Sequence, residues 1–223
     1  MNLDEAIKNR HSVREYTDKK IEGNVKEDLL NIIDECNRES GLNIQLCLNE
    51  KDAFNNGLFA KFGMFKNVNN YIAIVGRKTK NLDELSGYYG QKIVLKATQL
   101  GLDSCWVALT YSKSNVNAEI KDKEKLVIVI AIGYGVTHGN PRKSKAISEL
   151  TDFKGEMPSW FKEGLIAAQL APTATNQQKF KLNLIDDDKV KISTSFGFYN
   201  KIDLGIVKYH FEIGAKEKDF SWI

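Results

Sequence analysis

At 223 residues, with 32 Lys and Arg against 29 Asp and Glu for a net charge of +3, the chain is long enough to bury about 70% of its surface without disulfide or metal staples. The small basic excess is spread along the chain, which excludes the concentrated positive patch of a nucleic-acid binder. The N-terminus, MNLDEAIKNR, is acidic where a signal peptide is apolar, and no run reaches the ~18 apolar residues of a membrane span, so a soluble cytoplasmic protein is expected. Cys36, Cys47 and Cys105 show neither C-x-x-C spacing nor a companion histidine cluster, which predicts reduced, buried thiols and no metal site.

Leu3, Ala6, Ile7 and Arg10 follow helical spacing, so NRHSVREYTD (9–18) should lie at the end of a short first helix and in the loop beyond it. Arg10, His11, Ser12 and Arg14 there admit two readings. One is a solvated helix end whose basic groups face the negative end of the helix dipole. The other is an anion site in which two guanidinium groups, a hydroxyl and backbone N–H groups converge on a phosphate. Asn24 with Glu27 resembles a capping box, and Val25, Leu29, Ile33 and Cys36 form one face of a second helix ended by Gly41. IQLCL (44–48) and YIAIV (71–75) read as strands, with a loop and a helical turn over 51–70 between them. Leu85, Tyr89, Ile93, Ala97 and Leu100 define a helix over 83–100 that Gly101 closes and that is expected to cross the core. CWVAL (105–109) and LVIVIAI (126–132) are further strands, the second so continuously apolar that it belongs at the centre of a sheet.

After Gly133-Tyr134-Gly135 comes a second basic cluster, PRKSK (141–145), and the pattern then starts again. Ser159 to Leu170 is a helix halted before Pro172, KFKLNLI (179–185) and VKIST (190–194) pair around DDDK, and 202–214 is an amphipathic helix capped by Gly214. A weak repeat sets Asn43-Ile44-Gln45 against Asn176-Gln177-Gln178, and the helix ending at Gly101 against the one ending at Gly214, each followed by a tryptophan, Trp106 or Trp222. In LAPTATNQQ (170–178), Thr173, Thr175, Asn176 and Gln178 either satisfy local backbone groups or bind the polar edge of a planar heterocycle.

Arg10-His11-Ser12-x-Arg14, Ala171-Pro172-Thr173-Ala174-x-Asn176-x-Gln178, and GLDSCWVAL followed by LVIVIAIGYG together resemble the FMN-dependent nitroreductase family, and within it the fused branch that carries two shortened copies in one polypeptide. The resemblance implies an α+β fold: a three-layer α/β/α arrangement with a mixed, largely antiparallel sheet and two pseudo-repeats, divided into a first half at 1–140 and a shorter second half at 141–223. It implies a monomer by internal pseudo-dimerism, with further self-association left open. It implies that Arg10, Ser12 and Arg14 hold the FMN phosphate and ribityl chain with His11 against the cofactor, and that Arg142 and Lys143 also reach the phosphate. Backbone at Trp106, Val107, Ala108 and Leu109 would lie along the isoalloxazine. Pro172, Thr173, Ala174 and Asn176 would reach the flavin bound by the first half, giving one FMN per chain in a groove between the halves. Three positions depart from the family pattern: Lys179-Phe180 stands where Pro-Trp is usual, and Gly135 where a proline follows Gly-Tyr.

The resemblance further implies that electrons pass from NAD(P)H through FMN to a nitroaromatic, a quinone or a similar small acceptor in ping-pong order. No catalytic side chain is required, because the flavin carries the chemistry. The rival readings are, from another class, a flavin- or nucleotide-binding protein that has lost turnover and, third, a basic-surface interaction module, which the dispersed charge disfavours. His210, inside an amphipathic helix beside Phe211, and Cys105 are read as structural.

Overall fold

The apolar runs of the sequence become two sheets in a computed structural model that describes residues 1–55, 64–216 and 218–223. Residues 56–63 of the expected 51–70 loop lie outside the described residues. The first sheet joins β1 (Asn43–Leu48), β2 (Asn70–Arg77), β3 (Asp103–Val107) and β4 (Glu124–Gly133) in the order β1-β2-β4-β3, every pair antiparallel. Strand β4 is internal, as its unbroken apolar run requires, and so is β2, whose residues from Asn70 to Gly76 are all buried. The second sheet joins β5 (Phe180–Asp186), β6 (Lys189–Thr194) and β7 (Ser221–Trp222); β5 and β6 form the expected hairpin, and β7 adds to β6 in parallel. Antiparallel pairing therefore dominates, with the parallel β6–β7 pair making the fold mixed. Strand β7 has two residues, too few to leave a periodic signal in the sequence.

The helices are α1 (Leu3–Asn9), α2 (Gly23–Ser40), α3 (Asp52–Asn55), α4 (Leu82–Gln99), α5 (Ile147–Leu150), α6 (Ser159–Gln169) and α7 (Asn200–Ala215). Leu29, Ile33 and Cys36 bury one face of α2, and Gly41 ends that helix in the left-handed conformation with its N–H on the Asn37 carbonyl. The expected capping box is not formed. Extended Glu22 is the N-cap and Asn24 already lies inside the first turn. Nor is Gly214 a cap: it is within α7, where an added Cβ would stand 2.4 Å from the Glu163 carbonyl oxygen and 2.7 Å from the Ala167 Cβ. Close approach of α6, not chain termination, accounts for that glycine.

Two compact units organise the chain. One comprises Met1, Asn9–Leu82 and Lys92–Pro141; the other comprises Asn2–Lys8, Asp83–Gln91 and Arg142–Ile223. The first has a core of Val13, Tyr16, Phe54, Tyr71, Val107, Tyr111 and Val129. The second is built on aromatic rings: Trp160, Phe161, Phe211, Phe220 and Trp222 meet at centroid distances of 5.2–6.3 Å, mostly edge to face. The triplets aligned in the proposed repeat differ in conformation, since Asn43–Gln45 is β1 backbone whereas Asn176 and Gln178 have positive φ. No helix among the described residues is long and apolar enough to cross a membrane.

Candidate functional site

Helix α1 stops at Asn9, and Arg10–Arg14 runs on in extended form, tied to β3 by a parallel bridge between Ser12 and Ser104 and by the Val13 N–H on the Ser104 carbonyl at 3.0 Å. Alternation then sorts the side chains. Val13 and Tyr16 enter the core, while Ser12 and Arg14 face outward. The Tyr16 hydroxyl donates to the Val13 carbonyl at 2.7 Å, and burial raises its pKa well above the usual phenol range. Arg10 is only 4% exposed, a position a guanidinium takes when polar or anionic groups surround it.

Arg14, the Ser12 hydroxyl and Arg10 each act electrostatically on the Cys105 thiol. Burial raises the pKa of that thiol, and these three groups oppose the shift without cancelling it. Ser104 is buried with an Oγ that has no hydrogen-bond partner among the described residues. Two guanidinium groups and a hydroxyl within five residues fit a phosphate or a polyol chain. Farther along β3, Trp106 is half-buried, the Val107 side chain lies in the core, and Leu109 beyond the strand end is 64% exposed.

Asp103, which the sequence reading passed over, fixes the loop after β4. Its carboxylate accepts the Gly135 N–H at 3.1 Å and lies 3.2 Å from His138 Nδ1. This explains one departure from the family pattern: a proline at 135 would have no N–H for Asp103, and an added Cβ would stand 2.4 Å from the Thr137 carbonyl oxygen.

In the second unit, the PRKSK and LAPTATNQQ stretches meet. The Lys143 carbonyl accepts from Asn176 Nδ2 at 2.8 Å and Gln178 Nε2 at 3.0 Å, while the Lys145 N–H and ammonium donate to Gln178. The Thr173 hydroxyl accepts the Gln178 N–H. Pro172, Thr173 and Ala174 are half-buried, and Asn176 is exposed. Arg142 donates to the Leu170 carbonyl at the end of α6, and burial depresses its pKa. That guanidinium is therefore committed to a helix terminus, while the Lys143 side chain is exposed. Asp203, also unforeseen, accepts the Ala174 N–H at 3.0 Å and Gln177 Nε2 at 2.7 Å. The Lys179 ammonium donates to the Phe196 carbonyl and Phe180 is buried in β5, so the Lys-Phe pair is accommodated structurally.

Buried His210 has Nδ1 on the Ala167 carbonyl and Nε2 on the Gln91 side chain, which agrees with a structural reading. Burial raises the thiol pKa of Cys36 to about 12 and of Cys47 to about 11, so neither is a ready nucleophile.

A family model described as "Putative TM nitroreductase" matches residues 2–215. Among solved structures, that of a "putative nitroreductase" from Thermotoga maritima MSB8 is similar at a TM-score of 0.70 and 25% identity, covering 96% of this chain and 83% of that one. A "putative nitroreductase in complex with FMN" from Exiguobacterium sibiricum 255-15 aligns at a TM-score of 0.53 and 18% identity, covering 69% of this chain and 98% of that one. A "putative NADH dehydrogenase/NAD(P)H nitroreductase" from Parabacteroides distasonis ATCC 8503 aligns at 0.52 and 23%, covering 67% and 96%. These last two alignments show a shared fold. No curated protein matches the chain.

Proposed function

The chain belongs to the nitroreductase family, and from that membership we propose that it is an FMN-dependent oxidoreductase of the fused branch, carrying electrons from NAD(P)H to a nitroaromatic, a quinone or a similar small acceptor in ping-pong order. The observation that carries this reading is the Arg10–Arg14 segment itself, extended and bridged to β3 at Ser12, with Arg10 buried and Arg14 and the Ser12 hydroxyl acting on the Cys105 thiol. A protein of the same fold holds FMN, whose phosphate and ribityl hydroxyls suit that donor set.

In this reading Arg10 and Arg14 neutralise the phosphate, and Ser12 donates to the phosphate or the ribityl chain. His11 and Lys143 act at the periphery, while Arg142 contributes by holding the end of α6. The backbone at Trp106–Leu109 orients the ring. When bound, FMN supplies the redox centre, taking electrons from the nicotinamide and giving them to the acceptor. The protein's share is to bind, orient and exclude water, with one cofactor per chain.

Purified protein should bind FMN, and anaerobic NADH or NADPH should bleach the bound flavin at a catalytically useful rate. Arg14→Ala should weaken FMN binding by about tenfold to a hundredfold, since a charge-assisted contact is worth about 1.5–3 kcal/mol. Colourless protein that ignores added FMN would sink the proposal. Flavin that binds but stays oxidised with both nucleotides would leave a binding protein without turnover.

A further inference from the structure

Within the first unit, backbone bonds tie the basic segment to β3, to Lys66 and to the loop after β4. Ser104 of β3 holds Val13, while the Arg14 carbonyl accepts the Lys66 N–H at 2.9 Å and the Tyr16 N–H donates to the Lys66 carbonyl at 3.2 Å. In the loop after β4, the Tyr134 carbonyl accepts the Thr17 N–H at 2.8 Å, and the Val136 N–H donates to the Glu15 carbonyl at 3.0 Å. Tyr16 and Gly135 form an antiparallel bridge between these bonds. Farther on, Gly139 has a φ of 76°, and an added Cβ there would stand 2.8 Å from the His11 Cβ and 3.2 Å from the Ser12 carbonyl oxygen. The loop therefore lies along the segment from His11 to Thr17.

Asp103 fastens that loop at two points. Its carboxylate accepts the Gly135 N–H at 3.1 Å and lies 3.2 and 3.3 Å from His138 Nδ1. The Asp103 side chain is 12% exposed and the His138 side chain 85%, so the imidazole contact is open to solvent and the bond to Gly135 carries most of the restraint. Charge does not explain the acid. Asp103 adjoins Ser104, beside a segment that has to attract an anion, and a carboxylate there lowers the local positive potential. We infer that Asp103 is a positioning residue for the phosphate grip: by holding Gly135 and His138 it keeps the loop at 134–139 against His11–Thr17, and so keeps Ser12 and Arg14 on the outward side of the segment. The inference rests on the FMN reading above.

Charge and position predict opposite signs. FMN titrations followed by flavin fluorescence compare wild type, Asp103→Ala, Asp103→Asn and Gly139→Ala. Loss of negative charge alone would tighten FMN binding in both Asp103 variants. Positioning instead requires Asp103→Ala to bind about tenfold more weakly, whereas Asp103→Asn, whose amide oxygen still accepts the Gly135 N–H, stays within about threefold of wild type or binds more tightly. In an Arg14→Ala background the loss from Asp103→Ala should shrink to about threefold or less, because a residue that acts through the grip has less to act on once the grip is damaged. If Asp103→Ala fails to fold, Gly139→Ala decides: its added methyl pushes on His11 and Ser12 and should weaken FMN binding by about tenfold.

Wild-type or tighter affinity in folded Asp103→Ala, or in Gly139→Ala where that variant decides, overturns this inference while leaving the FMN reading intact. An equal loss in the wild-type and Arg14→Ala backgrounds overturns it too, since a merely structural acid acts independently of the grip. A wild-type chain that takes no FMN overturns both.

Discussion

Asp203 carries a stability cost that can be measured apart from any ligand. Its pKa is pushed up to about 6 from an ordinary 3.8, so the folded chain holds this proton more tightly than the unfolded one does. Its contribution is then most favourable below pH 4, is lost as the pH rises toward 6, and is constant above that. Keeping the buried carboxylate charged at neutral pH costs about 3 kcal/mol by this reckoning. The cofactor-free Asp203→Asn variant is therefore expected to melt higher than wild type at pH 7.5, with the gap shrinking to nothing near pH 4. A gap of the opposite sign at pH 7.5 would show that the two hydrogen bonds outweigh burial. Arg10, Ser12 and Arg14 were legible in the sequence because all three lie within five positions and their charges need an explanation. Asp203 was not. An acid in the first turn of a helix reads as a partner for the helix dipole, and its real partner, Ala174, is 29 residues away. Asp103 was hidden in the same way, 32 residues before the Gly135 amide it accepts.

Between elements, glycine sets the distances. An added Cβ on Gly87 of α4 would stand 2.0 Å from the Ile202 carbonyl oxygen, and one on Gly205 of α7 would stand 2.0 Å from the Glu84 carbonyl oxygen and 2.6 Å from the Tyr88 nitrogen. The clashing atoms are backbone, so no rotamer change relieves them. Gly205→Ala would gain about 1 kcal/mol of helix propensity in isolation. Overpacking against two backbone atoms should reverse that, for a net loss of about 2–3 kcal/mol and a melting temperature lower by roughly 5–10 °C. A thermal melt of the variant equal to or above wild type would show that α4 and α7 can move apart freely. Elements with strong periodicity, such as α2, α4 and β4, could be read from the chain because burial of one face or both is written in residue type. Helix ends and helix crossings could not. Gly214 and the Asn24–Glu27 pair have the composition of caps, yet the close approach of α6 explains the first and a helix start two residues earlier displaces the second.

Over the whole chain, the unit containing α6 and α7 is not continuous in sequence, because it also takes Asn2–Lys8 and Asp83–Gln91. The Asp83–Gln91 segment contributes specific partners. Glu84 pairs with Lys208 at 2.6 Å, the Tyr88 hydroxyl donates to Glu212, and Gln91 occupies buried His210 Nε2 at 2.8 Å. A fragment of residues 142–223 would lack all three and would open the close contact that Gly87 and Gly205 make. The loss of a buried hydrogen-bond partner alone costs about 1–3 kcal/mol. Removing the apolar face of a helix turn adds more, against a total of about 5–15 kcal/mol for an intact domain. The fragment should therefore lack a cooperative melt and show helix content by circular dichroism well below that of α6 and α7 in the full chain. A sigmoidal melt with native-like helix content in the isolated fragment would establish instead that it folds without Asp83–Gln91, and would place a folding boundary between Pro141 and Arg142.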